Sequence, residues 1–277
     1  MRTHQLAAIV IALTATLAVQ MPAPAVEEPP GPEGGLRTVA TTDEQDCHEV
    51  ITTRGVVTSA VDALVPDRYG LATTPTISLA IVTYTCRDLA VDLAVDRGHD
   101  SHGGTTMVSI GSVTITSVDG VPTVGATRYA LWYGTDDPRL FAAVRSSGMP
   151  ATFLHGSTAD LPPASTPAGS NVTISWALRG HDLSYDLGAS AVEPAVEPTD
   201  SFVAFLHERP DGRTARLTIH TRKLGTATTT STTAQFAGID ALQPLLTDPR
   251  FNTVPQPGLV ARFPYHRGSW SSVLTVE

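Results

Sequence analysis

Lysine is nearly missing from this chain: it occurs once in 277 residues, at Lys223. Any chemistry that needs an ε-amino group therefore has a single candidate position. Cysteine occurs only at Cys47 and Cys86. Neither has a second cysteine at the short spacing that zinc sites use, so no metal site is expected on them. Aromatic residues make up 6% and charged residues 16% of the chain, and the charge balance is acidic at −9. Such a balance disfavours nucleic acid and anionic membrane as partners. The one long apolar run, residues 6–19, falls short of the roughly 20 residues a spanning helix requires, so no membrane anchor is expected. A Gly-x-Ser-x-Gly elbow, a phosphate loop, a dinucleotide fingerprint and a zinc-peptidase motif are all absent. Nothing local supports a serine hydrolase, a nucleotide enzyme or a metallopeptidase, and no cofactor is expected.

What is present begins with a leader. Arg2, the apolar run and the small-residue site Ala23-Pro24-Ala25 make residues 1–25 a secretory signal, so the protein is expected to be secreted. Residues 26–46 hold paired prolines, Gly34-Gly35 and few apolar side chains, and read as a flexible leader. A single folded domain is then expected over residues 47–277, with its oligomeric state left open. In an exported chain an isolated cysteine pair is expected to be a disulfide, the other reading being two buried thiols. Such a bond would tie the first long strand to the second.

Residues 126–150 (ATRYALWYGTDDPRLFAAVRSSGMP) spell out strand, turn and helix. Tyr129, Leu131 and Tyr133 alternate with Ala130 and Trp132, as in a strand buried on both faces. Asp137 is placed to cap a helix whose first position is Pro138, and Leu140, Phe141 and Val144 form its apolar stripe. Gly148 supplies a left-handed stop, Pro150 prevents continuation, and a strand follows over residues 151–154. Elsewhere strands are expected at residues 49–58, 77–91, 105–117, 171–178, 183–187, 202–207, 214–222, a threonine-rich run to Phe236, and 259–263. Ser59 is a candidate cap for a short helix over residues 60–64, and another short helix is expected at 239–246. The Pro-rich pieces 161–167 and 193–198 read as loops between strands. The fold class is all-β with a few short helices, most simply an antiparallel closed β-barrel.

The order of these elements resembles the acetoacetate decarboxylase-like superfamily. Residues 58–71 (TSAVDALVPDRYGL) are similar to its early segment of helix followed by Val-Pro-acidic. Residues 129–150 are similar to its tyrosine strand, acidic-Pro, helix and Gly-x-Pro segment. Residues 173–187 and 202–221 resemble its later hairpins, with the Asp211-Gly212 turn and the strand Arg216-Leu217-Thr218. The resemblance implies a barrel with an interior pocket. In that family a lysine shortly before the Gly-x-Pro forms a Schiff base with a β-keto acid, activated by a neighbouring cation. Residues 140–150 contain no lysine here. Arg145 stands nearest to that place, and arginine cannot make the imine. The resemblance thus implies the fold and the pocket for a divergent member without the Schiff-base lysine.

Several residues are candidates for a ligand site. Arg262, Tyr265, His266, Arg267 and Trp270 cluster in RFPYHRGSW, which reads either as a polar spot gripping an anion or as an aromatic corner packing the final strand. Arg145 and His220 are further candidates to face the pocket. Lys223 shares a face with Leu217, Ile219 and Thr221 by period-two counting, but Gly225 follows closely, and the expected reading is a solvated strand end. His99, Asp100 and His102 have metal-ligand chemistry, yet lie in a Gly-rich segment read as a solvated turn. The recurrence of Arg-Gly-His-Asp at residues 97–100 and 179–182 is read as repeated turn chemistry. Two functional classes remain: a barrel that binds, and in one version modifies, a small apolar or keto-acid-like molecule in its interior, and an extracellular structural or interaction module filled by side chains. An interior lined with Tyr, His and Arg favours the first, and one filled with Val, Ile and Leu the second.

Overall fold

Threonine, valine, isoleucine and aromatic residues dominate the long runs of the chain, and these pack well on a pleated surface. In the computed structural model, which describes residues 35–94, 100–160, 171–178, 183–190, 193–227, 229–236, 241–246 and 265–277, those runs are strands. β1 (Arg37–Val57) leads through α1 (Thr58–Asp62) and β2 (Tyr69–Gly70) to β3 (Thr76–Leu93) and β4 (Asp100–Thr114). The short β5 (Ser117–Val118) and β6 (Val121–Pro122) precede β7 (Ala126–Thr135), α2 (Pro138–Ser146), β8 (Ala151–Phe153) and β9 (Ser157–Asp160). Then come β10 (Asn171–Leu178), β11 (Leu183–Ser190), β12 (Glu193–Glu208), β13 (Thr214–Ala227), β14 (Thr229–Phe236), the single turn α3 (Gln243–Leu246) and β15 (Tyr265–Val276).

Seven strands close a barrel in the order β12-β13-β15-β1-β3-β4-β7, with β7 pairing back to β12. The expectation of a closed barrel holds, with one difference at the seam. There Val203 to Leu206 run parallel to Ala126 to Tyr129, and β8 adds to β7 in parallel as well. A parallel pair needs a long crossover, and α2 together with β8 to β11 supplies it. β9, β10, β11 and β14 form a separate four-stranded sheet, and β2, β5 and β6 a three-stranded one.

One cluster of buried side chains draws on all seven barrel strands, including Ala40, Tyr84, Ile110, Tyr133, Phe205, Leu217 and Trp270. Only the barrel interior is shared by all seven, so this cluster is the inside. Leu140, Ala143 and Val144 of α2 belong to it. A second cluster lies on the outside of β1, β3, β4 and β7, where Val61, Leu242 and Leu245 cover Leu79, Ile81, Met107 and Val113. Among the described residues no helix is long and apolar enough to cross a membrane.

The ends of α2 are as the sequence implies. Asp137 Oδ1 accepts from the backbone N–H of Arg139 at 3.0 Å and of Leu140 at 2.7 Å, and Gly148 adopts φ +89°. Asp137→Ala should therefore cost about 1 kcal/mol. Gly148→Val should cost at least as much, because a Cβ there would meet Arg209 Cγ at 2.8 Å and the backbone is left-handed. Unchanged urea midpoints for both variants would contradict this account of the helix.

Other expectations are corrected. β1 begins at Arg37, well inside the stretch read as a flexible leader, and Ala40, Thr42 and Glu44 are buried. The tertiary reason is that β15 pairs with β1 from Arg37 and β3 pairs with it from Ala40, so that neighbouring backbones satisfy residues 40–44 on both edges. Ser59 caps nothing: α1 starts at Thr58, two residues before the expected start, with Val57 as N-cap and no side-chain cap bond. Pro194 lies within β12 rather than in a loop, where a register shift between Pro194 and Thr199 absorbs it. The signal segment, the strand at 259–263, the loop at 161–167 and residues 97–99 and 179–182 lie outside the described residues, whereas Asp100 and His102, read as part of a solvated turn, are in β4, where pairing with Val91 and Leu89 of β3 extends the strand.

Candidate functional site

Irregularities in the pairing of five neighbouring strands meet at one level of the barrel. The pairing of β1 with β15 shifts between Glu44 and Cys47, that of β3 with β4 between Cys86 and Asp88, and that of β13 with β15 between Lys223 and Gly225. These positions are lateral neighbours, because Cys47 lies opposite both Cys86 and Gly268, and Gly268 lies opposite Lys223. Asp46 takes a left-handed φ of 48° at the bulge in β1. Gly268 is required by close approach, since a Cβ there would sit 2.0 Å from the Arg222 carbonyl oxygen. Bulges re-aim side chains, and here they surround the polar part of the interior.

Polarity rises along the barrel axis toward this level. Across β13, β15 and β1 the successive rows are Leu217, Leu274 and Ala40; then Ile219, Ser272 and Thr42; then Thr221, Trp270 and Glu44; then Lys223, Gly268 and Cys47. Thr42 Oγ1 donates to Glu44 Oε1 at 2.8 Å. Its only proton is then used, so in the 2.7 Å contact between the Thr42 and Ser272 hydroxyls Ser272 is the donor. Glu44 Oε2 lies 3.3 Å from Cys86 Sγ. Cys86 is bonded to Cys47, so that sulfur has no proton to give. Burial pushes the Glu44 carboxyl up to about 8; the Thr42 hydrogen bond opposes this, while the nearby Asp43 and Asp137 reinforce it.

Glu49 is the second buried acid, 4% exposed. Its Oε2 lies 3.4 Å from Lys223 Nζ. Burial pushes the Glu49 carboxyl up, against the pull of Lys223 and the Trp270 donor, which favour the ionised form. Tyr84, directly opposite Glu49 in the β1–β3 register, stacks on Trp270 with ring centroids 6.1 Å apart. Burial raises the Tyr84 and Tyr133 hydroxyls well above the ordinary tyrosine value, and Glu44 adds to both shifts. The arrangement can offer a neutral carboxyl as proton donor, a carboxyl–amine pair, and aromatic walls.

The residues proposed from sequence are distributed differently. Arg145 is exposed on α2, its guanidinium 5.9 Å from the Phe141 ring centroid, and it does not line the interior. His220 is on the outer face of β13, stacked on Phe202 at 4.3 Å with Nε2 3.2 Å from Asp200 Oδ1. Its alternation with Leu217, Ile219 and Thr221, which are buried, is the physical reason. Arg262 lies outside the described residues. Tyr265 and His266 are in β15, and their backbones lie opposite Val50 and Glu49, at the level of the site. Trp270, from the same motif, is inside. Lys223 faces inward with its buried row and not out to solvent: the strand continues to Ala227, so the glycine ends nothing.

Glu44, Glu49, Tyr84 and Tyr133 were not singled out by sequence. Acids are seldom buried, and Glu44 lay in the supposed leader. A usable signal existed: once Cys47 is bonded to Cys86, an antiparallel pair with those residues opposed places Glu49 against Tyr84. The disulfide is present and joins β1 to β3, the two long strands, as expected. Glu44, Cys47 and Cys86 are also a group whose ligand atoms all lie within 4.8 Å of one another, but in the disulfide neither sulfur is a thiolate.

No protein-family model and no curated protein sequence matches the chain. Solved structures do. The enduracididine biosynthesis enzyme MppR complexed with pyruvate is 14% identical, with 90% of this chain and 91% of that one covered and a TM-score of 0.50. An acetoacetate decarboxylase-like enzyme from Sphingomonas wittichii RW1 is 11% identical over 87% of this chain and 91% of that one, with a TM-score of 0.45. The likeness to MppR shows a shared fold.

Proposed function

We propose that this chain is an exported barrel protein that binds a small keto-acid-like molecule at the polar end of its interior, without Schiff-base decarboxylation. The observation that carries the reading is the inward placement of the only lysine, beside Glu49 and below Trp270 and Tyr84. A half-buried amine donor with an acid and aromatic rings around it suits a ligand with one anionic or carbonyl end and an apolar body. The fold neighbour complexed with pyruvate supports the same chemical class. An imine mechanism of the family's kind needs a second cation beside its amine, and the ion pair that Lys223 makes among the described residues is with the Glu49 carboxyl. The interior half built from Ile110, Phe205, Leu217, Ile219 and Leu274 fits the alternative of a side-chain-filled module. That alternative leaves two buried glutamates and a lysine without a purpose.

Calorimetric titration with pyruvate and with longer 2-keto acids should show binding that Lys223→Met weakens at least about tenfold, the loss of one charge-assisted contact. Incubation with acetoacetate and borohydride, followed by intact-mass measurement, should leave the chain unmodified and release no carbon dioxide. A stable adduct on Lys223 accompanied by carbon dioxide would replace this reading with that of a decarboxylase. Export is checked separately by sequencing the N-terminus of protein recovered outside the cell, expected to begin after Ala25.

A further inference from the structure

We propose that the Cys47–Cys86 position is also a redox-gated metal site: when the disulfide is reduced, the two thiolates and the Glu44 carboxylate bind one zinc-like divalent ion, which takes over the cross-link between β1 and β3. The three ligand atoms already lie within 4.8 Å of one another, and all three residues are buried. Cys47 and Cys86 face each other with Cα atoms 4.0 Å apart. They sit inside a ladder paired from Ala40 and Leu93 to Val57 and Thr76, so opening the S–S bond leaves the backbones where they are. Two sulfurs and one carboxylate oxygen are a zinc-type donor set, and three protein ligands leave a fourth position open.

Glu44 is built as a ligand would be. Its Oε1 is anchored by Thr42, which Ser272 anchors in turn, while Oε2 is aimed at Cys86 Sγ. Such outer contacts hold a carboxylate's orientation toward a metal. Among the described residues no ion pair reaches Glu44, so a divalent ion would supply the positive charge this buried carboxyl lacks. Spacing in sequence conceals the site, since the cysteines are 39 residues apart and only strand pairing unites them. The chemistry balances. Reduction gives two thiols: a dithiol supplies two electrons and two protons and becomes a disulfide, or a phosphine supplies the two electrons and becomes its oxide while one water supplies the oxygen and the two protons. Metal binding then forms two metal–sulfur bonds and one metal–oxygen bond, and the ligand protons pass to solvent.

The test uses the full chain reduced with a water-soluble phosphine, kept free of oxygen and titrated with Co2+ and then Zn2+. Expected are the thiolate-to-cobalt charge-transfer band and the visible bands of a tetrahedral site, one ion per chain, displaced by Zn2+. Zn2+ should also restore most of the thermal stability lost on reduction, and the oxidised protein should give no band. Glu44→Gln, which still forms the disulfide, should weaken Co2+ binding of the reduced chain at least about tenfold. A reduced chain with no thiolate band, or with no recovery of stability on adding Zn2+, overturns the proposal. So does a Glu44→Gln affinity equal to that of the parent, which is the result that metal capture by an unfolded chain's thiols would give.

Discussion

Raising the pH from about 4.5 to about 9 should cost the folded barrel roughly 5 kcal/mol through Glu44 alone. Below its ordinary value of 4.5 the carboxyl keeps its proton in both the folded and the unfolded chain, and no penalty arises. Between 4.5 and about 8 the unfolded chain gives the proton up while the folded chain retains it, so each pH unit favours unfolding by about 1.4 kcal/mol. Above about 8 both states have lost the proton and the loss is complete. Glu49, also pushed upward by burial, adds to the fall in the same sense. Urea unfolding at a series of pH values would therefore show stability greatest in mild acid. Glutamine has the shape of the neutral carboxyl, so Glu44→Gln should reduce the slope between about pH 5 and 8 by about one proton's worth. With no free cysteine in the described chain, no thiolate is present to start disulfide exchange at the alkaline end. Identical slopes for parent and variant would show that Glu44 is not held neutral by its surroundings.

Replacing Cys47 and Cys86 together by alanine should lower the free energy of unfolding by about 4 kcal/mol. The bond closes a loop across a sequence separation of 39, and in the chain-entropy account that constraint on the unfolded ensemble is what is lost. Alanine is preferred to serine because Cys47 and Cys86 are 0% and 1% exposed, and a hydroxyl buried there would need a new partner. A loss of this size is a large share of the roughly 5–15 kcal/mol that holds an ordinary domain together. The parent protein in reductant without metal should match the double variant, and the unfolded parent without reductant should titrate no thiol. Unfolding free energies from urea titration that agree within about 1 kcal/mol for parent and double variant would refute the expectation.

Much of the barrel was legible because its signals are local. Asp137, Pro138 and Gly148 act within a few residues of themselves, and their roles in α2 are visible in the string alone. The cysteine pair was legible because two isolated cysteines leave one partner for each. Strand content followed from β-branched alternation, and the resemblance in element order pointed to the fold. The candidate site was far less legible. Arg145 and His220 were chosen for their chemistry, yet one is on an exposed helix face and the other alternates with a buried row. Glu44 was passed over because polar, glycine-flanked chain looks flexible until neighbouring strands take it in.

By itself, then, the sequence determined the strand-rich composition, the capped helix, the disulfide partners and the single position where an amine can act, since each depends on residues close in the chain or on simple scarcity. Only the tertiary structure decided that residues 37–44 form a strand, that β7 meets β12 in parallel, and that Glu44, Glu49, Tyr84, Trp270 and Lys223 converge. Those facts depend on lateral register among strands far apart in sequence, and on bulges that turn a side chain without leaving a periodic trace. Burial of an acid is likewise a property of what packs over it, and no local pattern of residues encodes that.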